Sequence, residues 1–319
     1  MADAYRFTFP PFPIGWFQVA YSDELKPGEV KPLEYFGQKL VLFRTEAGVA
    51  HVLDAFCPHL GAHLGYGGKV AGDNIRCPFH AWEFDGGGTC KHVPYSDRVP
   101  DAAKVAPWPV HEVNGLIMVW HHPDRTEPAW TLPAIAEWDN EEWTGYHKRR
   151  WRVRSRNQEM AENAVDVAHF KYLHGTQNLP DPKMWTEGHQ MFSQFDTEMM
   201  TPMGPATGRI EVEAHGFGFT LTRFFGFVET LLVNSVTAID EEYLDVRFAF
   251  TVKKVGGADV TRGVAMAFIK EIERQLEQDV PIWENKRHVK PPILTDGDGP
   301  IARYRRWCKQ FYADPNAQP

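Results

Sequence analysis

Residues 57–80 read CPHLGAHLGYGGKVAGDNIRCPFH, and the two ends of this stretch carry related motifs. Cys57 and His59 form a C-x-H half, Cys77 and His80 form a C-x-x-H half, and 17 residues separate the two halves. Each cysteine is followed by a proline, which fixes φ, removes a backbone donor and suits a stiff turn at a strand end. The pattern therefore predicts two tight loops, each offering one thiolate and one imidazole.

The two predicted loops together offer four ligands to one metal centre. In a Rieske [2Fe–2S] cluster two cysteines hold one iron and two histidines hold the other. We predict such a cluster on the four residues of the two halves: Cys57, His59, Cys77 and His80. A structural zinc site and four unrelated core residues are the alternatives, and the mixed halves and paired prolines disfavour both. Cys90-x-His92 repeats the C-x-H text without a proline or a second half, so we interpret it as incidental.

The sequence around these loops is typical of a small β domain. Short runs of β-branched and aromatic residues, bounded by glycine, proline and aspartate, predict strands throughout residues 16–122. Residues 1–15, rich in proline and aromatic residues, predict an extended arm. Residues 123–140, rich in proline and tryptophan, predict a linker.

A second domain is predicted at residues 141–319, where helical and strand patterns follow one another. Residues 157–174 and 264–288 are predicted to be helical, and residues 207–255 show the alternation of strands. A sheet combined with helices fits this order. The predicted fold class of the whole chain is therefore α+β.

Residues 163–175 read NAVDVAHFKYLHG and predict a second metal site. Asn163, Asp166 and His169 are spaced three apart, so we expect them to share one face of a helix. His174 lies five residues past His169, where a straight helix would turn it away. A helix that ends or widens at this point returns the second imidazole to the side of the first, and we predict that both histidines bind a metal.

The third ligand is predicted in the late helix. Two neutral imidazoles leave a divalent metal short of charge, so we expect a carboxylate, as in the 2-His-1-carboxylate triad of non-haem Fe(II) oxygenases. The apolar stripe formed by Ile272, Leu276 and Trp283 includes position 279, which is Asp. A lone Asp on a buried face is costly unless it is paired or bound to metal, so Asp279 is the predicted ligand. Three glutamates lie off this stripe and are predicted to be solvated: Glu273, Glu277 and Glu284.

The identity of the second metal is open from spacing alone, since zinc, manganese and iron all accept such ligands. The predicted cluster favours iron, because an electron-transfer centre has no use beside redox-inert zinc. Asp166, one turn before His169, can accept the second N–H of that imidazole and can also link towards the cluster. Together with Asn163 it forms the candidate catalytic pair.

Composition excludes several classes of protein. Hydrophobic residues make up 43% and charged residues 24%, as in ordinary globular proteins, and a net charge of −8 disfavours nucleic acid as a partner. No signal-peptide pattern is visible, and no apolar run reaches the ~18–20 residues that span a bilayer. We therefore expect no membrane span and a cytoplasmic protein whose four cysteines stay reduced.

The two metal motifs, in this order and at this separation, resemble the oxygenase component of Rieske non-haem iron oxygenases. Residues 278–286 (QDVPIWENK), 297–301 (GDGPI) and 305–312 (RRWCKQFY) resemble the steroid- and sterol-acting branch of that family. This branch includes the 3-ketosteroid 9α-hydroxylase oxygenase component and the cholesterol 7-desaturases.

The resemblance implies a Rieske domain joined to a helix-grip catalytic domain with a central antiparallel sheet. It implies a [2Fe–2S] cluster and Fe(2+), and homotrimers in which electrons pass from His80 of one subunit through Asp166 of its neighbour. It also implies a ferredoxin or ferredoxin reductase as the electron donor, and hydroxylation of a hydrophobic, steroid-like substrate with O2. Demethylation, desaturation and aromatic dihydroxylation remain alternatives. So do a Rieske electron carrier with structural His169 and His174, and a zinc-stabilised binding module.

Two groups of apolar residues are candidates for the surroundings of a substrate cavity. Six apolar positions could line a cavity or form ordinary sheet core: Phe217, Phe219, Phe224, Phe225, Phe227 and Leu231. Residues 184–203 contain five of the nine methionines. Flexible thioethers adapt to apolar guests, so this segment is a candidate lid, with simple gap filling as the alternative.

Overall fold

The computed structural model of the chain describes two compact units. Its described residues are 6–176, 179, 181–201, 204–226, 228–259 and 263–313, with the backbone alone described at 197–201 and 204–206. One unit, here the N-terminal unit, comprises residues 16–134 and 239–241. The other, the C-terminal unit, comprises the residues before 16 together with 135–238 and those from 242 onward.

The N-terminal unit consists of short strands. They are β1 (Gly15–Tyr21), β2 (Val30–Tyr35), β3 (Gln38–Arg44), β4 (Ala50–Asp54), β5 (Lys69–Ala71), β6 (Asn74–Arg76), β7 (Glu83–Phe84), β8 (Cys90–His92), β9 (Pro107–Trp108), β10 (Val110–Val113) and β11 (Leu116–His121). These strands form three small sheets, in the orders β1-β11-β10, β2-β3-β4-β9 and β5-β6-β7-β8. The predicted all-β domain is confirmed.

The core of the N-terminal unit is built around the two predicted cluster loops. Strand β3 forms because Leu40–Phe43 is a continuous apolar run, and these side chains are wholly buried. Val41, Phe43, Ile75 and Phe84 pack in one cluster with the two cysteines at positions 57 and 77. The thiols therefore lie within a packed apolar core, and packing determines their positions.

The described residues of the C-terminal unit form a seven-stranded antiparallel sheet and four α-helices. The strands are β12 (His147–Val153), β13 (Lys183–Glu187), β14 (Gln190–Thr201), β15 (Gly204–His215), β16 (Thr220–Phe225), β17 (Thr230–Ala238) and β18 (Leu244–Val252). They lie in the order β12-β18-β17-β16-β15-β14-β13. The helices are α1 (Asn157–Ala161), α2 (Ala168–Tyr172), α3 (Val264–Asn285) and α4 (Ile301–Cys308). The α+β fold with a central antiparallel sheet is confirmed.

Helix α3 buries one stripe, which includes Leu276, Asp279 and Trp283. Its C-terminus is capped by Arg6, a residue far away in the sequence. Arg6 donates from Nε to the Lys286 carbonyl (3.0 Å) and from Nη2 to the Trp283 carbonyl (2.6 Å). A guanidinium at this position satisfies carbonyls that have no donor within the helix and complements the helix dipole. The N-terminal arm thus holds the end of the helix that carries Asp279.

The prediction that residues 157–174 are helical is confirmed only in part, because they do not form one continuous helix. Helices α1 and α2 are separated by a 3-10 turn at Glu162–Ala164 and by Val165, which takes φ −124° and ψ −11°. β-Branched residues lower helix propensity here, and the carbonyl of Val165 lies against Gly299, where a Cβ would stand 2.5 Å from that oxygen. Asn163 and Asp166 therefore do not share a regular helical face with the histidines.

The methionine-rich segment is not a loop over the fold. Its described residues form most of the edge strand β13, the neighbouring strand β14 and the turn between them, and Met184 and Met191 are buried. Met203 lies outside the described residues. Strand alternation places the described side chains of Met191, Ser193 and Phe195 on one face of the sheet, so this part of the segment belongs to the sheet and is not a loop.

Candidate metal centres

The two Cys-Pro loops share one backbone arrangement. In each loop the cysteine N–H donates to the carbonyl five residues later, and the cysteine carbonyl accepts the N–H four residues later. The four distances lie between 2.8 and 3.2 Å. Because the two loops are built alike, each presents its cysteine from the core and its histidine from the loop tip.

The structure brings the four predicted cluster residues together. The rings of His59 and His80 lie edge to face with their centroids 4.7 Å apart, and His59 stacks on Trp82 at 4.5 Å. Cys57 and Cys77 are free thiols, 2% and 3% exposed. Burial, with the Cys77 thiol alongside, raises the pKa of Cys57 to about 11. Two buried thiols beside two half-buried imidazoles fit the donor set of a Rieske cluster, whose binding must release the thiol protons.

The structure also brings His169, His174 and Asp279 together. One potential ligand atom from each lies within 4.8 Å of the other two. Nε2 of His174 is 3.5 Å from Oδ2 of Asp279, and the two imidazole centroids are 5.0 Å apart. The backbone widens to allow this, because the His174 N–H donates to the His169 carbonyl five residues earlier (3.2 Å) and Gly175 follows with φ 78°. Two imidazoles and one carboxylate fit a facial metal triad.

Each imidazole of this triad is held through its Nδ1 atom. Nδ1 of His169 contacts the Asp166 carbonyl, and the Asp166 carboxylate lies 3.9 Å away. Nδ1 of His174 lies 3.1 Å from Oε1 of Gln278. Both contacts leave Nε2 available, which is the common arrangement for metal-bound histidines.

The environment shifts the pKa values of the two histidines in opposite directions. Burial lowers the pKa of His169, although Asp166 and Asp279 oppose it. Burial also acts to lower the pKa of His174, but hydrogen bonds to Asp279 and Gln278 outweigh it and raise the pKa. The carboxylate of Asp279 therefore favours a positive charge at this point, which a divalent cation supplies.

The triad opens into a cavity of about 200 Å³. Most of its wall is apolar, from β14 to β18 and α3, and includes Met191, Phe195, Ile210, Leu232, Phe248 and Ile272. Polar groups are sparse: Asn163, Thr220, Thr222, Asn234 and Gln275. Oδ1 of Asn234 is buried and has no hydrogen-bond partner among the described residues. The cavity is therefore suited to an apolar guest with few polar atoms.

Only some of the apolar positions proposed from the sequence line this cavity. Phe217 and Phe224 do so. Three others do not, two being wholly buried elsewhere and one exposed: Phe219, Leu231 and Phe225. Phe227 lies outside the described residues. Strand alternation explains Phe224 against Phe225 on β16, and Leu231 against its neighbour Leu232 on β17, because adjacent residues face opposite sides of the sheet. Phe217 and Phe219 lie in the turn before β16, where this rule does not apply.

Two features of α3 differ from the sequence interpretation. Glu273 is not solvated as predicted, because its side chain is 12% exposed and accepts a hydrogen bond from Nε of Arg149 on β12 (2.8 Å). Glu284 also has a partner, the N–H of Arg154 (3.3 Å), whereas Glu277 is exposed. Gln278 was missed as a site residue, and its only signal is its place beside Asp279.

A β unit with Rieske-type loops, joined in one chain to a metal triad facing an apolar cavity, defines the class of Rieske oxygenases. Comparison with known families agrees: residues 15–107 match the Rieske [2Fe-2S] domain and residues 119–312 match the 3-Ketosteroid 9alpha-hydroxylase C-terminal domain. The chain belongs to the family of Rieske non-haem iron oxygenases that carry this C-terminal domain. The predicted resemblance is confirmed.

The similar curated proteins act on steroids or sterols according to their names. Cholesterol 7-desaturase nvd of Xenopus laevis is 32% identical, over 97% of this chain and 74% of that protein. A 3-ketosteroid-9-alpha-monooxygenase oxygenase component of Rhodococcus rhodochrous is 33% identical, over 95% of this chain and 82% of that protein.

Solved structures agree on the fold. Dicamba monooxygenase bound to dicamba superposes with a TM-score of 0.75 at 17% identity, over 93% of this chain and 96% of that one. NdmA of Pseudomonas putida CBB5 with caffeine gives a TM-score of 0.75 at 19% identity, over 95% and 90%.

The family membership establishes the class of enzyme. The chain is the terminal oxygenase component of a Rieske-type system and a non-haem iron monooxygenase, with a [2Fe–2S] cluster and Fe(2+) as cofactors. As an oxygenase component it receives electrons from a partner protein. Within the described residues, no helix has the length and hydropathy needed to cross a membrane.

Proposed function

We propose that this oxygenase hydroxylates a hydrophobic, steroid-like substrate, using O2 and electrons derived from NAD(P)H. The observation that carries the proposal is the metal triad at the wall of a mostly apolar cavity. Similar proteins named for 3-ketosteroids and cholesterol support the same substrate class.

The cluster is assigned to Cys57, His59, Cys77 and His80. The two buried thiols would hold one iron of the cluster, and the two half-buried imidazoles would hold the other. Nitrogen ligands raise the reduction potential above that of an all-cysteine cluster. This cluster domain is assigned to residues 16–122, after an arm at 1–15.

The mononuclear iron is assigned to His169, His174 and Asp279, in a catalytic domain at residues 141–319 that follows a linker at 123–140. When bound, the iron supplies the activation of O2. The protein contributes position and exclusion of water: the triad is fixed by α2 and α3, and the surrounding side chains leave an apolar space beside it.

Asp166 and Asn163 are assigned as the candidate catalytic pair. The carbonyl of Asp166 accepts the Nδ1–H of His169 and fixes its tautomer, and its carboxylate is one-third exposed and 3.9 Å from the same atom. A carboxylate in this position can connect the imidazole to a group on another molecule. Asn163 lines the cavity beside the triad, where its amide can bind a substrate or a water molecule.

A homotrimer is proposed, in which His80 of one copy lies near Asp166 of the next. Apolar side chains around the cluster loops support an interface, since Phe56, Leu60 and Phe79 are more than half exposed (52%, 64% and 60%). Exposed apolar patches of this kind mark interaction surfaces. The electron donor is proposed to be a ferredoxin or a ferredoxin reductase. The protein is proposed to be located in the cytoplasm.

Desaturation is the second candidate reaction, because the cholesterol 7-desaturases match this chain at nearly the same identity as the 9α-monooxygenases. Both reactions begin at a C–H bond that the cavity must place beside the iron. The products distinguish them, since hydroxylation adds oxygen to the substrate and desaturation removes two hydrogens.

The decisive experiment uses reconstituted protein with a ferredoxin, its reductase and NADH. Candidate substrates are a 3-ketosteroid, cholesterol and an aromatic acid of low hydrophobicity, and products are identified by mass spectrometry. We expect turnover of a steroid or sterol and its loss in His174→Ala with the cluster absorbance intact. His189→Ala, outside the triad, is the matched control. Turnover of the aromatic acid alone contradicts the substrate class, and unchanged turnover in His174→Ala contradicts the iron assignment.

A further inference from the structure

The side chain of Gln278 contacts the triad from behind, through the imidazole of His174. We infer that Gln278 is a positioning residue for the iron, and that its neutral carboxamide selects the tautomer of His174 that binds metal. The inference rests on the proposed assignment of His174 as an iron ligand.

Hydrogen-bond chemistry gives this contact a direction. Oε1 of Gln278 can only accept, so Nδ1 of His174, 3.1 Å away, must carry the proton. A neutral imidazole protonated on Nδ1 has its lone pair on Nε2, the atom that faces Asp279 at 3.5 Å. The opposite tautomer would point a proton at the metal position. The carboxamide therefore favours the tautomer that can bind iron.

Helix α3 contacts both nitrogens of His174 with consecutive residues. Gln278 holds Nδ1 and Asp279 faces Nε2, so one helical turn determines both the tautomer and the tilt of the ring. The same turn is anchored by Leu276 and Trp283, which are buried. Gln278 is not among the residues that line the cavity, which separates its role from substrate binding.

The two imidazoles differ in the group beside Nδ1, because Gln278 is uncharged and Asp166 carries a carboxylate. His169 has the carbonyl and the carboxylate of Asp166 at its Nδ1, whereas His174 has a carboxamide. A carboxylate behind a metal-bound histidine makes the imidazole more basic. The two imidazoles would therefore reach a bound iron with different partners at Nδ1: a backbone carbonyl with a carboxylate 3.9 Å away for His169, and a carboxamide for His174.

The test compares Gln278→Leu, which removes the acceptor, with Gln278→Glu, which keeps an acceptor and adds charge. Glu277→Leu, on the exposed side of the same turn, is the matched control. Fe(2+) affinity is measured anaerobically, by competition with a chelator, on protein whose cluster absorbance and circular dichroism match the wild type. We expect Gln278→Leu to bind Fe(2+) about 10- to 100-fold more weakly, the usual effect of losing such a partner. Gln278→Glu and Glu277→Leu are expected to stay within about threefold of wild type.

Two outcomes overturn the inference. One is a Gln278→Leu protein that retains wild-type Fe(2+) affinity. The other is a Gln278→Glu protein as weak as Gln278→Leu, since the contact would then act through packing and not through an accepted hydrogen bond. Comparison of His174→Ala with the wild type tests the iron-site assignment independently of the role of Gln278. If His174→Ala binds Fe(2+) as tightly as the wild type, the assignment of the iron site is wrong.

Discussion

A buried glutamate connects the two halves of the proposed iron site. Glu159, on α1, is wholly buried, accepts a hydrogen bond from Nδ1 of His288 (2.6 Å) and forms an ion pair with Nζ of Lys286 (2.7 Å). The two partners follow α3, the helix that bears Asp279, whereas the histidine ligands follow α1. This carboxylate therefore holds α1 against the residues that follow α3, and these two parts of the chain lead to the proposed iron ligands.

We predict that Glu159→Gln lowers the free energy of unfolding at pH 7 by about 3 kcal/mol. Burial alone would raise the pKa of Glu159, but the hydrogen bond from His288 and the charge of Lys286 lower it from 4.5 to about 2. The difference of about 2.5 pH units corresponds to ~3 kcal/mol, at about 1.36 kcal/mol per unit. Because the pKa in the folded state is depressed, this contribution is complete above pH 4.5 and is lost as the pH falls towards 2.

The assay is urea denaturation of the wild type and Glu159→Gln, followed by circular dichroism between pH 7 and pH 3.5. The difference in stability between the two proteins should be about 1 kcal/mol smaller at pH 3.5 than at pH 5.5. Glu277→Gln is the control, because Glu277 is exposed on α3 and should change stability by less than ~0.5 kcal/mol. Equal stability of Glu159→Gln and wild type at pH 7, or a difference that does not shrink on acidification, refutes the reasoning.

Three further predictions concern the N-terminal unit, the cavity and the metal. Gly88→Ala should destabilise the cluster domain by more than ~2 kcal/mol, because φ is +76° and the new Cβ would stand 1.8 Å from the Val105 carbonyl oxygen. Gly72→Ala, where φ is +62° and nothing lies within 4 Å, should cost only ~1 kcal/mol; similar midpoints in thermal melts followed by cluster absorbance would contradict this. Asn234→Leu should raise KM about 5- to 10-fold for substrates with a hydroxyl group that can donate a hydrogen bond, because the buried Oδ1 of Asn234 has no hydrogen-bond partner among the described residues; an unchanged KM in steady-state assays would rule out this role. Chelation of the mononuclear iron should abolish substrate-dependent O2 uptake with the cluster spectrum unchanged and Fe(2+) should restore it, whereas uptake that survives chelation points to chemistry elsewhere.

The sequence predicts best those features whose determinants lie close together along the chain. Each cluster half occupies three or four residues, so its loop could be predicted without knowing the fold. Asp279 is recognisable because helical periodicity is also local, and it places a charge among apolar neighbours. The structure then shows the triad atoms within 4.8 Å of one another.

The features that the sequence did not predict depend on distant partners. The helix after β12 breaks where Val165 meets Gly299, 134 residues further on, as the contact at its carbonyl shows. Glu159 and His288 are 129 residues apart, and Gln278 and His174 are 104 apart. A hydrogen bond across such a separation leaves no periodicity in either segment, so only the folded arrangement reveals it.

The contacts of the N-terminal arm have a consequence for redesigning the chain. The Ile14 N–H donates to the Phe311 carbonyl (2.7 Å), and Phe9 packs on Tyr312 with ring centroids 5.6 Å apart. The two ends of the described polypeptide therefore lie side by side against one unit. A short peptide could join them into a circular permutant, with new termini opened at an exposed turn, while Arg6 keeps its place at the end of α3.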